Sequence, residues 1–203
     1  MLKHTVGAAA LIAAVALAPD ASAEAMTHDG FYMSLEAGVG YLSATIDDPI
    51  AEVTMSSTTF SSGLLLGGTV GPVVIGGGFT YDYGFSPSAE QAGSEQEIED
   101  LKLYLIGIGA FADYYVDPAG GLHFIGFLGW GGLESSRDGD AGGSDPTGLL
   151  VTLGGGYDFW VADEWSIGPL ARFTYAPLSF DYGGSSLDVP TWHFSVVAEF
   201  VYH

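Results

Sequence analysis

Cysteine is absent from the 203 residues, so no disulfide can hold this chain together after export. Basic residues are scarce: four Lys plus Arg stand against 25 Asp plus Glu, a formal net charge of −21. That balance argues against a nucleic-acid partner, whose phosphates demand a basic footprint, and against a patch for anionic lipid. Beyond Ala23 no apolar run reaches the length of a membrane-spanning helix, although 48% of the residues are hydrophobic. The apolar side chains are spread instead through short segments. Thirty-one glycines and 11 tyrosines suit closely packed β structure with tight turns.

Residues 1–23 read as a secretory signal. Lys3 supplies the positive start, Val6 to Ala18 is an apolar run too short to span a bilayer, and Pro19 and Asp20 end it. Ala21-Ser22-Ala23 fits the small-x-small cleavage pattern, which leaves residues 24–203 as one domain.

That domain is organised by period-two alternation. In the last stretch, Trp192, Phe194, Val196, Ala198, Phe200 and Tyr202 share one face, while Thr191, His193, Ser195 and Glu199 share the other with two valines. Seven similar segments precede it, roughly Phe31–Leu42, Phe60–Val70, Val73–Tyr83, Leu101–Tyr114, Leu122–Leu133, Thr147–Trp160 and Trp165–Tyr175. Three short turns, at Gly71-Pro72, Asp117–Gly121 and Ala162–Glu164, alternate with four long polar connections, Ser43–Thr58, Ser86–Asp100, Glu134–Pro146 and Ala176–Pro190. In the fourth segment two phases compete, Tyr104, Ile106, Ile108 and Ala110 against Leu103, Leu105 and Phe111, and a bulge would reconcile them. Pro169 in the seventh marks a second expected bulge.

The fold expected is all-β: an eight-stranded antiparallel up-and-down transmembrane β-barrel. An even strand count places both chain ends beside the short turns, as for a barrel inserted from the periplasm, and closure removes edges that hydrocarbon would leave unpaired. Tyr114, Phe159, Trp165 and Tyr202 gather near the short turns, and Tyr41, Tyr81, Trp130, Tyr175 and Trp192 near the long connections, as two interfacial belts would. A soluble lipocalin-like barrel would hide its aromatics and expose its charges, whereas Glu36, Arg172 and Glu199 lie on the small, polar face here.

The signal, the opening Gly30-Phe31-Tyr32-Met33-Ser34-Leu35-Glu36-Ala37-Gly38-Val39-Gly40-Tyr41, the segment Gly155-Gly156-Tyr157-Asp158-Phe159-Trp160 leading to Trp165-Ser166-Ile167-Gly168, and the aromatic last strand carry a resemblance. The chain resembles the small eight-stranded outer-membrane β-barrels of Gram-negative bacteria, the class that contains the OmpA transmembrane domain and OmpX. The resemblance implies residence in the outer membrane, surroundings of membrane lipid and lipopolysaccharide, assembly by the barrel-assembly machinery, and a monomer. That machinery reads a terminal aromatic; here His203 follows Tyr202, which displaces the signal by one residue.

Inside the barrel, Arg172, Glu199 and Glu36 lie close to one level on neighbouring strands, and one guanidinium between two carboxylates makes a structural cluster. Asp82, towards the outer end, and Asp158, towards the periplasmic end, face the lumen outside that cluster, as do His193 and Ser195. His193-Phe194-Ser195 is similar to the His-x-Ser element of the lipid A 3-O-deacylase. Val196 replaces that family's Asn, and Glu199 stands about 13 Å along the strand from Ser195, so no catalytic residue is assigned. No cofactor is expected. The acidic connections, with Asp138, Asp140 and Asp145 foremost, are weak candidates for loosely bound Ca²⁺ or Mg²⁺, but they lack the closing bidentate Glu of a complete calcium loop. The function expected is that of a structural or surface-interaction barrel without catalysis. A narrow channel or carrier for ions or small apolar solutes is the alternative, and a lipid-modifying hydrolase ranks behind both.

Overall fold

The computed structural model describes residues 26–46, 52–98, 101–137 and 145–203. The expected signal, residues 1–23, lies outside them, as do Asp138 and Asp140.

Ten strands follow one another: β1 (Phe31–Ile46), β2 (Val53–Val70), β3 (Val73–Gln91), β4 (Ser94–Glu97), β5 (Leu101–Tyr115), β6 (Leu122–Arg137), β7 (Thr147–Tyr157), β8 (Phe159–Ala162), β9 (Trp165–Tyr182) and β10 (Ser185–Tyr202). All pairings are antiparallel, and β10 pairs with both β9 and β1, so the sheet closes on itself. The ring has eight staves. β7 and β8 are one stave interrupted at Asp158, and β4 is a short return strand on the outer part of β3.

Alternation decides which side chains line the lumen. Leu35, Val39, Phe60, Leu64, Phe79, Ile108, Leu128, Leu153, Phe173, Phe194 and Phe200 are exposed on the outer wall, while their chain neighbours Ser34, Glu36, Thr59, Thr80, Thr152, Arg172, Thr174, Ser195 and Glu199 are buried. This inverts the soluble pattern and is the arrangement of a barrel wall in lipid. Aromatic contacts brace both rims: Trp165 meets Tyr202 at 5.0 Å near the short turns, and Tyr41 meets Trp192 at 5.7 Å towards the other end.

The structure resolves both irregularities expected in the wall. In β5, Leu103, Leu105, Phe111, Asp113 and Tyr115 face in, and the register with β3 and β6 runs without a shift, so no bulge is present there. Gly107 and Gly109 occupy the inward positions between Leu105 and Phe111 and hide the phase in the sequence. Lys102 accordingly points away from the lumen. Pro169 also causes no bulge: β7 and β8 meet β9 in the same register on either side of it, and Pro169 faces Ala198 in an unbroken β9–β10 ladder. Register shifts sit elsewhere, between Ser56 and Thr58 on β2, opposite Ser86, whose φ is 46°, and between Trp160 and Ala162 on β8.

The long connections are also shorter than expected. β1 and β2 stay paired to Ile46 and Val53, β3 runs to Gln91, and β9 and β10 continue to a two-residue turn at Gly183-Gly184. Both glycines have positive φ, 61° and 87°, which suits a turn that follows the strand twist. The lipid-facing residues stop short of these turns, but pairing continues through hydroxyls, such as Thr45 with Thr54 at 3.1 Å and Ser56 with Ser88 at 3.1 Å. Inward apolar residues of the same hairpins, Ala44, Leu178 and Val189, are fully buried and give these extensions a small core.

Candidate functional site

Among the described residues the buried side chains line the lumen and fill it in layers. Towards the long hairpins it is closed by Leu42, Ala44, Leu103, Leu105, Leu178 and Val189, all buried. Next comes a polar layer in which His193 Nε2 lies 2.8 Å from Thr59 Oγ1 and His193 Nδ1 lies 3.6 Å from Asp82 Oδ2. Below it Arg172 Nη1 donates to Glu36 Oε2, and Arg172 Nε reaches Ser195 Oγ at 3.4 Å. The space beside this pair, bordered by Leu65, Ile125 and Phe127, is a cavity of about 10 Å³, at the lower limit for one water molecule.

The three residues expected to cluster therefore divide. Arg172 and Glu36 meet, but Glu199 takes a different partner: His123 Nε2 lies 2.8 Å from Glu199 Oε1. The other nitrogen of His123 stands 3.0 Å from both oxygens of Asp113. Only the imidazolium can donate to both carboxylates at once. Asp82 and Asp158 lie in separate layers. His193 and Ser195, although on one face, engage Thr59 and Arg172 respectively and form no dyad. Asp145 is exposed on the surface.

A further layer lies at the end of the short turns, where the sequence pointed to Asp158 but not to the partners gathered around it. Tyr115 donates to Asp158 Oδ2 at 3.0 Å, and its ring stacks on His28 at 3.5 Å and on His123 at 5.1 Å. His28 Nε2 donates to the Gly120 carbonyl at 2.9 Å, and Nδ1 of the same ring lies 3.1 Å from His203 Nδ1 and 3.2 Å from His203 Nε2. His203 Nε2 also lies 3.0 Å from Ser166 Oγ. Burial holds His28 down to about 4, partly offset by its bond to the Gly120 carbonyl. Burial, reinforced by the neighbouring His28, holds His203 down to about 3. Both rings are neutral at neutral pH. His123 was legible in principle as the inward residue between Leu122 and Phe124, whereas Asp113 and Tyr115 were hidden by the undecided phase of β5.

A sealed, layered lumen inside an apolar wall with aromatic rims is the geometry of a small membrane barrel. The sequence matches the family model of the outer membrane protein beta-barrel domain over residues 7–200. The chain belongs to that family. Among solved structures of such barrels, OprG from Pseudomonas aeruginosa is 11% identical with a TM-score of 0.56, over 89% of this chain and 100% of the other. Neisserial surface protein A is 16% identical with a TM-score of 0.50, over 83% of this chain and 95% of the other. These likenesses carry the fold, and membership of the family carries the outer-membrane location. No curated protein matches the chain by sequence. Within this family the side of the short turns faces the periplasm, so His28, Asp158 and His203 mark the periplasmic mouth and the long hairpins project outward.

Proposed function

We propose that this barrel is a non-conducting structural and surface-interaction protein of the outer membrane without intrinsic catalysis. The observation that carries this reading is the succession of filled layers across the lumen: the apolar plug of Leu42, Leu103, Leu105 and Leu178, the Asp82–His193 layer, the Arg172–Glu36 pair and the Asp113–His123–Glu199 chain. Small eight-stranded barrels fill their interior in this way, and each layer would have to be dismantled before an ion could pass.

The paired hairpins give the protein something to present. β1–β2, β3–β4 and β9–β10 carry ordered, mostly polar strands beyond the outer aromatic rim, with acidic side chains such as Glu90, Glu95, Glu97 and Asp188 exposed on them. Paired, negatively charged hairpins suit a cationic partner or one bridged by divalent ions. Against a hydrolytic role of His193 and Ser195 stands their engagement with Thr59 and Arg172 respectively, which keeps the two from pairing as base and nucleophile.

Planar-bilayer recording of the refolded mature chain tests the closed lumen. The expected record is free of stable conductance steps; reproducible steps altered by Arg172→Ala would overturn the reading in favour of a channel.

A further inference from the structure

We propose that the periplasmic mouth of the barrel binds a divalent transition metal of the zinc class through His28, Asp158 and His203. His28 precedes β1, Asp158 occupies the break between β7 and β8, and His203 follows β10. An ion there would tie both ends of the described wall to its middle.

One ligand atom from each of the three residues lies within 4.8 Å of the others. His28 Nδ1 is 3.2 Å from His203 Nε2, which is 4.0 Å from Asp158 Oδ2. Tetrahedral zinc with bonds of ~2.0–2.1 Å holds its ligand atoms about 3.3 Å apart. The two imidazoles already stand at that spacing, and the carboxylate has to close by less than about 1 Å on His203 and by at most about 1.5 Å on His28. The tautomer is also set. His28 gives its Nε2 proton to the Gly120 carbonyl at 2.9 Å, which leaves Nδ1 as a bare lone pair turned towards His203. A backbone carbonyl on the far nitrogen is the common way of orienting a metal-bound histidine. Ser166 Oγ, 3.0 Å from His203 Nε2, yields that contact when the ion binds.

Asp158 supplies an independent observation. It is 2% exposed, one oxygen accepts from Tyr115, and its Oδ1 has no hydrogen-bond partner among the described residues. A buried carboxylate oxygen without a donor is costly unless a cation meets it. Charge points the same way. Asp158 can also be grouped with His123 and Glu199, whose ligand atoms lie within 4.8 Å of its own, and Asp113 adjoins His123. Three carboxylates against one imidazolium leave a surplus that a divalent cation cancels. Two imidazoles with one carboxylate favour zinc and its neighbours over calcium or magnesium, which take six or more oxygens. Tyr115 and Trp160, 3.5 Å and 4.8 Å from the His28 ring, wall the site from solvent.

The test titrates the refolded mature chain with Zn²⁺ alone, and with Co²⁺, whose visible absorption reports tetrahedral coordination. One equivalent is expected to bind and raise the melting temperature. His28→Ala, His203→Ala and Asp158→Asn should each weaken binding tenfold or more, while His193→Ala, in another layer, should leave it unchanged. Retention of tight binding by the His28→Ala, His203→Ala double variant, or no binding by the folded parent, overturns the site. If the variants do not refold, as judged by the gel shift between heated and unheated samples, anomalous diffraction at the zinc edge from crystals of the parent decides. A peak between His28, Asp158 and His203 supports the site; peaks only at hairpin carboxylates, or none, overturn it.

Discussion

Nε2 of His123 lies 2.8 Å from Oε1 of Glu199, and this contact sets the charge plan of the lumen. Glu199 sits directly opposite Glu36 in the β10–β1 register, so two carboxylates would face each other without a mediator. The barrel separates them by giving each its own cation. Glu36 goes to Arg172, and Glu199 goes to His123, which carries Asp113 on its other nitrogen. A single arginine shared by both glutamates is replaced by two ion pairs stacked along the axis.

Removing His123 should therefore strand two carboxylates. All three residues are at most 1% exposed, so His123→Ala leaves Glu199 buried without its donor and Asp113 with only the Tyr32 hydroxyl, 3.5 Å from Oδ2. Breaking a buried pair from one side costs about 3–5 kcal/mol, and this variant should lie in that range. Equilibrium urea unfolding in lipid vesicles measures it; an unchanged midpoint would show that the chain contributes no stability.

Arg172→Ala should destabilise by a similar amount, because Glu36 loses its partner on Oε2 while its Oε1 already lacks one. The double variant Arg172→Met, Glu36→Leu should recover most of the loss, since replacing both members of a buried pair by apolar groups is often neutral. Comparable destabilisation in the single and double variants would mean that packing volume, and not charge, explains the effect.

The wall of the barrel was legible because lipid imposes a strict alternation, and Trp192, Phe194, Phe200 and Tyr202 cannot be read in any other phase. The lumen was only half legible. Inward positions held by glycine carry no hydropathy signal, so Gly107 and Gly109 hid the phase of β5 and with it Asp113 and Tyr115. Which inward residues touch depends on strand tilt and side-chain reach, and residue counting along strands does not supply either. It grouped Arg172 with Glu199, whereas the tilted wall brings β6 and its His123 to that glutamate. His28 carries no signal and His203 reads only as an extra residue after the terminal aromatic, because both lie just outside the strands, where periodicity says nothing.

Those two histidines predict an acid-dependent loss of stability in chelator-treated protein. Both folded-state values, about 4 for His28 and about 3 for His203, lie below the ordinary 6.5. Between roughly pH 4 and 6.5 the unfolded chain binds protons that the folded chain does not, so stability falls as pH falls through this window. The His28→Gln, His203→Gln variant should show a shallower slope over the same range. Urea midpoints at several pH values read this directly, and identical slopes would show that the two rings do not contribute.

Gly168 and Gly126 make a final, opposed pair of predictions about how closely the wall is drawn together. A Cβ on Gly168 would fall on the carbonyl oxygen of Tyr157 and come within 3.0 Å of the Cα of Asp158, where β9 passes the break between β7 and β8. Backbone cannot yield as a side-chain end can, so Gly168→Ala should push the strands apart and cost about 1–3 kcal/mol. The same change at Gly126 meets nothing nearer than Leu153 Cδ2 at 3.8 Å, an ordinary contact, and removes a flexible residue from a strand. Gly126→Ala should be neutral or slightly stabilising. If the two variants unfold at the same urea concentration, the close approach at Asp158 does not constrain the wall, and the position of that residue is held by its bonds to Gly121 and Tyr115.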